Sequence, residues 1–255
     1  MNIKKRDTGI YLARAVVLIL LFGVFLLFYT NFIFAANPVG PDELISTANE
    51  TKAASGAMTF NVSGGYVSTF NLTATIQDFR WKAFVGNVTG SFTLDDSAGS
   101  TIYDWTLSTI TGRVYTTRNS TTISWATMSC SNLTLLEQEN TWLSHSNIDD
   151  NLTKTFTIES PDHDSLNVGP VTIPADTCPT LSTYVNNVSQ AQGADVFEEV
   201  ALIDTNNVTV FATILENDAV GFDGGQYDFQ MLVPENGSAA WESSTAYYLY
   251  VELGN

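Results

Sequence analysis

The C-terminal run TAYYLYVEL alternates. Tyr247, Leu249, Val251 and Leu253 fall on one side, and Tyr248, Tyr250 and Glu252 on the other, which is the two-residue period of a half-buried strand. VTVFATIL places Val208, Val210, Ala212 and Ile214 on one face and Thr209, Phe211, Thr213 and Leu215 on the other. Both faces are largely apolar, so a central strand is expected there. EEVALI precedes it across Asp204-Thr205-Asn206-Asn207, and the pair reads as a hairpin. QYDFQMLV is a further strand, entered through Asp223-Gly224-Gly225 and left through Pro234-Glu235-Asn236-Gly237. AMTFNVS, YVSTFNLTATI, WKAFV, VTGSFTL, STIYDW, GRVYTT and TTISWAT are rich in β-branched and aromatic residues and punctuated by Gly, Asn and Asp, so they too read as strands. Trp81 and Trp105, which bracket three of these runs, are expected in the core. Leu135 with Trp142 and Leu136 with Leu143 recur at helical spacing, after Thr134 and Glu137 at capping-box spacing, which predicts a helix over 135–143. The expected fold class is mainly β: an immunoglobulin-like or jelly-roll-like sandwich over 58–255 with a short helical insertion.

The N-terminal pattern is different. Residues 15–36 are almost wholly apolar. As a helix they would span about 33 Å, matching a bilayer core of about 30 Å. Lys4, Lys5, Arg6 and Arg14 precede them, so the expected topology is a basic cytoplasmic segment at 1–14, a single-pass signal anchor at 15–36 and an extracellular C-terminal domain at the cell membrane. Two alternatives place the domain outside as well. A cleaved signal would put Phe34 or Ile33 where a small residue is preferred. A pilin-type cut after Gly9 would put Arg14 at the fifth position, where such stems usually carry an acid. Residues 37–57, with Pro38, Gly40, Pro41 and few large apolar side chains, read as a linker.

Charge sharpens this picture. The formal net charge is −17, only six basic residues lie beyond Arg14 (Lys52, Arg80, Lys82, Arg113, Arg118 and Lys154), and none follows Lys154. Such a surface repels phosphate backbones and excludes nucleic acid as a partner. Cys130 and Cys178 are the only cysteines, and an even count in an extracellular setting predicts a disulfide between them. Asn-X-Ser/Thr occurs ten times, at Asn49, Asn61, Asn71, Asn87, Asn119, Asn132, Asn151, Asn187, Asn207 and Asn236. With Ser and Thr at roughly a fifth of residues, chance gives about four, so N-glycosylation is expected. Asp218, Asp223 and Asp228, and the cluster Asp162-His163-Asp164, offer oxygen ligands, but they lack EF-hand spacing and read as turn-forming acids. No Gly-x-Ser-x-Gly elbow, His-Glu-x-x-His or phosphate loop occurs, so no catalytic residue or cofactor is assigned.

The run WKAFVGNVTGSFTLDDSAGSTIYDW, GRVYTT after it, and the tail FDGGQYDFQMLVPENGS followed by STAYYLYVEL resemble a group of uncharacterised archaeal surface proteins, N-terminally anchored and rich in sequons. The similarity covers the chain from about Met58 and implies a cell-surface setting and an archaeal source; it carries no catalytic residue. The expected function is therefore a glycosylated, membrane-anchored surface protein with a structural or adhesive role, as an envelope component, attachment protein or filament subunit. Its partners would be the membrane through the N-terminal helix, other surface proteins or glycans, and further copies of itself. A surface receptor or carbohydrate-binding module is the first alternative. An anchored hydrolase, built on His163 or on a carboxylate pair, is the second.

Overall fold

The computed structural model describes residues 37–156, 162–190, 196–237 and 244–254. The expected cytoplasmic segment and membrane-spanning helix lie outside them. Among the described residues no helix is long and apolar enough to cross a membrane.

The described part is mainly β, with few helices. Its centre is a strand with both faces buried, β10 (Thr209–Ile214), as its doubly apolar pattern requires. β10 pairs antiparallel with β9 (Glu198–Ile203) on one side and β4 (Gly112–Thr117) on the other. β14 (Tyr248–Leu253) adds beyond β4. Backbone groups of Val39 bridge to Val251 on the far edge of β14. Two short strands share the outer edge of β9: β5 (Ser129–Cys130) lies opposite Ile203 and Leu202, and β8 (Thr180–Ser182) opposite Val200 to Glu198. This six-stranded sheet buries both faces. Tyr115, Val200, Leu202, Val210 and Ala212 meet Ile123, Trp125, Met128, Cys178 and the hairpin of β6 (Leu166–Val168) and β7 (Val171–Ile173). On the other face Val114, Ala201 and Phe211 meet Leu136, Leu152, Phe156, Met231 and Val233. The last two belong to β13 (Phe229–Pro234), which forms a second, two-stranded sheet with β1 (Trp81–Gly86) and packs against β10. Each fully buried Phe, Leu or Met contributes about 1.5–3 kcal/mol from area removed from water.

Three local devices hold this arrangement. Gly112 adopts φ +130°, and a Cβ there would stand 1.9 Å from the carbonyl oxygen of Glu252, so β14 can lie against β4 only because this residue is glycine. Asp204 closes the β9–β10 turn by accepting hydrogen bonds from the backbone N–H groups of Asn206 (2.8 Å), Val208 (3.0 Å) and Ser124 (3.0 Å). Burial raises its pKa, but these donors outweigh that and hold the carboxyl below the usual range. Asp228 is buried between elements, accepting from Val88 N–H at 2.7 Å and Asp218 N–H at 3.0 Å.

Several expectations change. The runs 57–63 and 66–76, predicted as strands, pair with nothing among the described residues; regular structure starts at Trp81. TTISWAT forms a 3-10 turn at Trp125–Thr127 instead of a strand. The helix runs from Leu133 to Trp142 (α1), because the Asn132 side chain takes the cap by accepting from Leu135 N–H, the position the sequence pattern gave to Thr134. Residues 144–190 hold a four-residue helix, Leu152–Thr155 (α2), and three-residue strands too short for their period to show. Trp81 is partly buried, its indole N–H donating to Asp150 O at 2.7 Å, whereas Trp105 is 51% exposed. It lies in a ribbon of β2 (Ser91–Asp95) and β3 (Thr101–Thr106) that pairs with no other strand among the described residues.

Candidate functional site

Chemistry-bearing side chains in this protein are mostly consumed by the fold. His163 is buried; its Nδ1–H donates to Asp164 O at 2.7 Å, and its Nε2 accepts from Thr177 N–H (3.1 Å) and Cys178 N–H (2.9 Å). Both nitrogens are engaged in shaping the approach to the disulfide, which leaves neither free to relay a proton. His145 is also buried, with Nε2 on the Glu235 carbonyl. The acids around the Gly224-Gly225 bend do not converge. Asp228 bonds backbone as described, and Asp223 accepts from Gly225 N–H and the Tyr227 hydroxyl. Among the described residues no group of three or more His, Cys, Asp or Glu is placed to hold a metal ion.

Basic side chains are consumed in the same way. Arg80 pairs with Asp150 at 2.8 Å, Lys82 with Glu235 at 2.7 Å and Lys154 with Asp149 at 2.8 Å, while Arg113 is buried. Burial raises the Asp78 carboxyl, and Asp150 beside it raises it further. Burial also raises Glu235, but Lys82 and the Thr245 hydroxyl outweigh it and hold the carboxyl below the usual range. Glu199 differs. It is wholly buried on the β13 side of the large sheet, accepts only Leu232 N–H at 2.7 Å, and its Oε1 has no partner among the described residues. Burial pushes its pKa well above the carboxylate range, and the Leu232 N–H opposes this.

Cys130 and Cys178 are disulfide-bonded. The bond joins β5 to the segment entering β8, at the point where the two short strands meet along the edge of β9. It therefore secures the outer edge of the large sheet, where unpaired strand groups would otherwise be open to other chains.

The sequons are distributed unevenly in burial. Asn49, Asn61, Asn71, Asn87, Asn132, Asn187, Asn207 and Asn236 are exposed, Asn119 is half-buried and Asn151 is buried, 5% exposed. The Asn151 side chain caps α2, accepting from Lys154 N–H and the Thr153 hydroxyl, both at 3.0 Å. A glycan has no room on that amide in the folded chain.

Asn119 and Asn207 flank a groove of 430 Å³ at the end of β4, the start of β10 and the C-terminal turn of α1. Arg118 lies over the Trp142 ring, 4.8 Å from its centroid, and makes a two-pronged ion pair with Glu139, one prong at 3.0 Å. Glu139 is buried and Trp142 is 56% exposed. Arg118 covers part of the Trp142 ring, and the exposed remainder beside a planar charged pair suits a polar ligand with flat apolar faces, such as a sugar ring. The helical spacing placed Trp142 on the same footing as Leu143; in the structure Leu136 and Leu143 face the core and Trp142 faces outward. No local signal marks the groove, because its walls come from three segments far apart in the chain. Comparison with protein-family models, with curated proteins and with solved structures yields no match.

Proposed function

We propose that this chain is a glycosylated cell-surface protein, anchored at the cell membrane by an uncleaved N-terminal helix, whose extracellular β domain has a structural or adhesive role. The observation that carries the reading is the placement of the sequons: eight of ten asparagines stand exposed on the described surface. The disulfide, suited to an oxidising compartment, supports it, as does the resemblance to anchored archaeal surface proteins. We read the domain as a sandwich of immunoglobulin-like or jelly-roll-like kind, because the β1–β13 sheet lies over the Phe211 face of the larger sheet. The groove beside Trp142 favours a second reading, a carbohydrate-binding surface module.

The test is to shave intact cells with a broad-specificity protease and to analyse the released peptides by mass spectrometry. Glycan is expected on several exposed sequons, and Asn151 is expected to be bare. Release of the domain only after lysis, or ten unmodified asparagines, would overturn the reading.

A further inference from the structure

We propose that the arm of one copy, residues 58–76, adds its strand-patterned segment 66–76 to the β2–β3 ribbon of a second copy, so that the chain assembles head to tail. This inference deepens the structural-surface reading above, on which it rests, and names its partner.

The ribbon supplies one half of the contact. Its register sets Phe92 opposite Trp105 and Leu94 opposite Tyr103, so these four side chains share a face. They are 45, 51, 56 and 58% exposed. Among the described residues β2 and β3 pair only with each other, so both outer edges are unpaired there, and a lone two-stranded ribbon is marginal in water.

The arm supplies the other half. The arm turns at Gly64-Gly65 and brings the Phe60 ring to 4.9 Å from the Phe70 ring, so it divides into 58–62 and 66–76. The even positions carry Met58, Phe60 and Val62 in the first and Tyr66, Phe70, Leu72, Ala74 and Ile76 in the second, broken only by Ser68. The odd positions carry Thr, Asn, Ser and Gly, with Val67 the exception. This is the period of a strand with one buried face, yet Met58 is 99%, Leu72 90% and Ile76 85% exposed. Asn61 and Asn71 sit at odd positions, so glycans there would project from the polar face and leave the apolar one free.

Two observations select a second copy as the occupant. The first is charge. No residue from Ala53 to Gln77 is charged, in a chain of net charge −17 whose ribbon carries Asp95, Asp96 and Asp104 and no basic residue. Most surfaces of two copies repel, and an uncharged segment approaches an acidic ribbon without that cost. The second is position. The arm leads into β1 at Trp81 and the ribbon follows β1 after Gly86, so they leave opposite ends of a strand about 20 Å long. An interface between two different patches at opposite ends propagates and does not close as a two-fold dimer. Strand addition supplies main-chain hydrogen bonds, and alternate side chains supply specificity.

The test uses the purified full chain in detergent, with mass read by light scattering. Wild type is expected to run as multimers. An arm variant (Tyr66→Asp with Leu72→Asp) and a ribbon variant (Phe92→Asp with Trp105→Ser) are each expected to run as monomers, with circular dichroism unchanged because the altered side chains are exposed. Mixed one to one, they are expected to give a heterodimer that grows no further, since each retains the half that the other lacks. Leu72→Cys and Trp105→Cys chains should cross-link to each other in the mixture. Monomeric wild type, multimers unaffected by either variant, or cross-linking within a chain that carries both cysteines would overturn the proposal. Each of those results leaves anchoring and glycosylation, which are read from shaved cells, untouched.

Discussion

Replacing Cys130 and Cys178 together by alanine is expected to destabilise the domain by an amount the structure bounds. The bond spans 48 residues of sequence, and for such a loop the chain-entropy model gives about 4 kcal/mol, an upper figure. For a domain of this size each kcal/mol moves the melting temperature by about 2–4 °C, so the ceiling is a fall of roughly 8–16 °C. The loss has a specific location. β5 and β8 are two and three residues long and hold β9 only along its outer edge, so without the bond they should fray before β4 and β10 do. Thermal unfolding of the full chain in detergent measures the first quantity, and hydrogen exchange at position 130 and at Thr180–Ser182, compared between wild type and the variant, measures the second. The bond itself is checked by trypsin, since no Lys or Arg follows Lys154. A non-reduced digest should contain Asn119–Lys154 joined to Thr155–Asn255, and reduction should separate them. A fall below about 2 °C, equivalent to 1 kcal/mol or less on this scale, together with unchanged exchange at β8, would refute the view that this bond secures the sheet edge.

Glu199→Gln tests the buried acid. A raised folded pKa means that Glu199 costs nothing below the unfolded carboxyl range, near 4.3, and that stability is lost as pH rises from there toward the folded value; the melting advantage of Glu199→Gln over wild type should therefore widen between pH 5 and pH 8, and a constant difference would sink the assignment. Asp228→Ala leaves two backbone N–H groups, of Val88 and Asp218, without their acceptor and should cost about 2–4 kcal/mol in denaturant melts, whereas calcium added to wild type should leave the melt unchanged; a calcium-dependent gain that Asp228→Ala abolishes would restore the metal reading.

What could be read from the sequence depended on where the signal is local. β10 was legible because both of its faces are apolar, and β14 because Tyr247, Leu249, Val251 and Leu253 alternate cleanly toward one core. The cysteine pairing followed from there being only two. Alternation, however, reports a preference for a sheet and says nothing about whether the sheet is present. Residues 66–76 alternate much as β14 does, yet among the described residues they pair with no strand; the arm's ring contact is its own, Phe60 on Phe70 at 4.9 Å. Trp105 shows the same limit: it was expected in the core from its type, but its register partner is Phe92 in an isolated ribbon. The groove beside Trp142 was illegible for another reason, since Arg118 reaches Glu139 across 21 residues and the turn at Asn207 closes over them only after β4 and β10 pair.

The way cations are used ties these pieces together. Arg80, Lys82 and Arg118 each join an early segment to a later one: Asp150 before α2, Glu235 after β13, and Glu139 on α1. The half-exposed Arg80–Asp150 pair contributes little stability by itself, and in the other two pairs, whose carboxylates are buried, desolvation offsets much of the attraction, so the larger consequence of all three is subtractive. With four basic residues of this region in ion pairs and Arg113 buried, little positive charge remains outward to offset the acids, and the exterior of the folded chain repels its own copies. That repulsion guards the open edges of β2 and β3 against indiscriminate pairing. It also leaves the uncharged arm as the segment best able to reach them. On the assembly proposed above, an acidic coat and a neutral strand-patterned arm would be two parts of one device: the first opposes most encounters between copies, and the second favours one geometry.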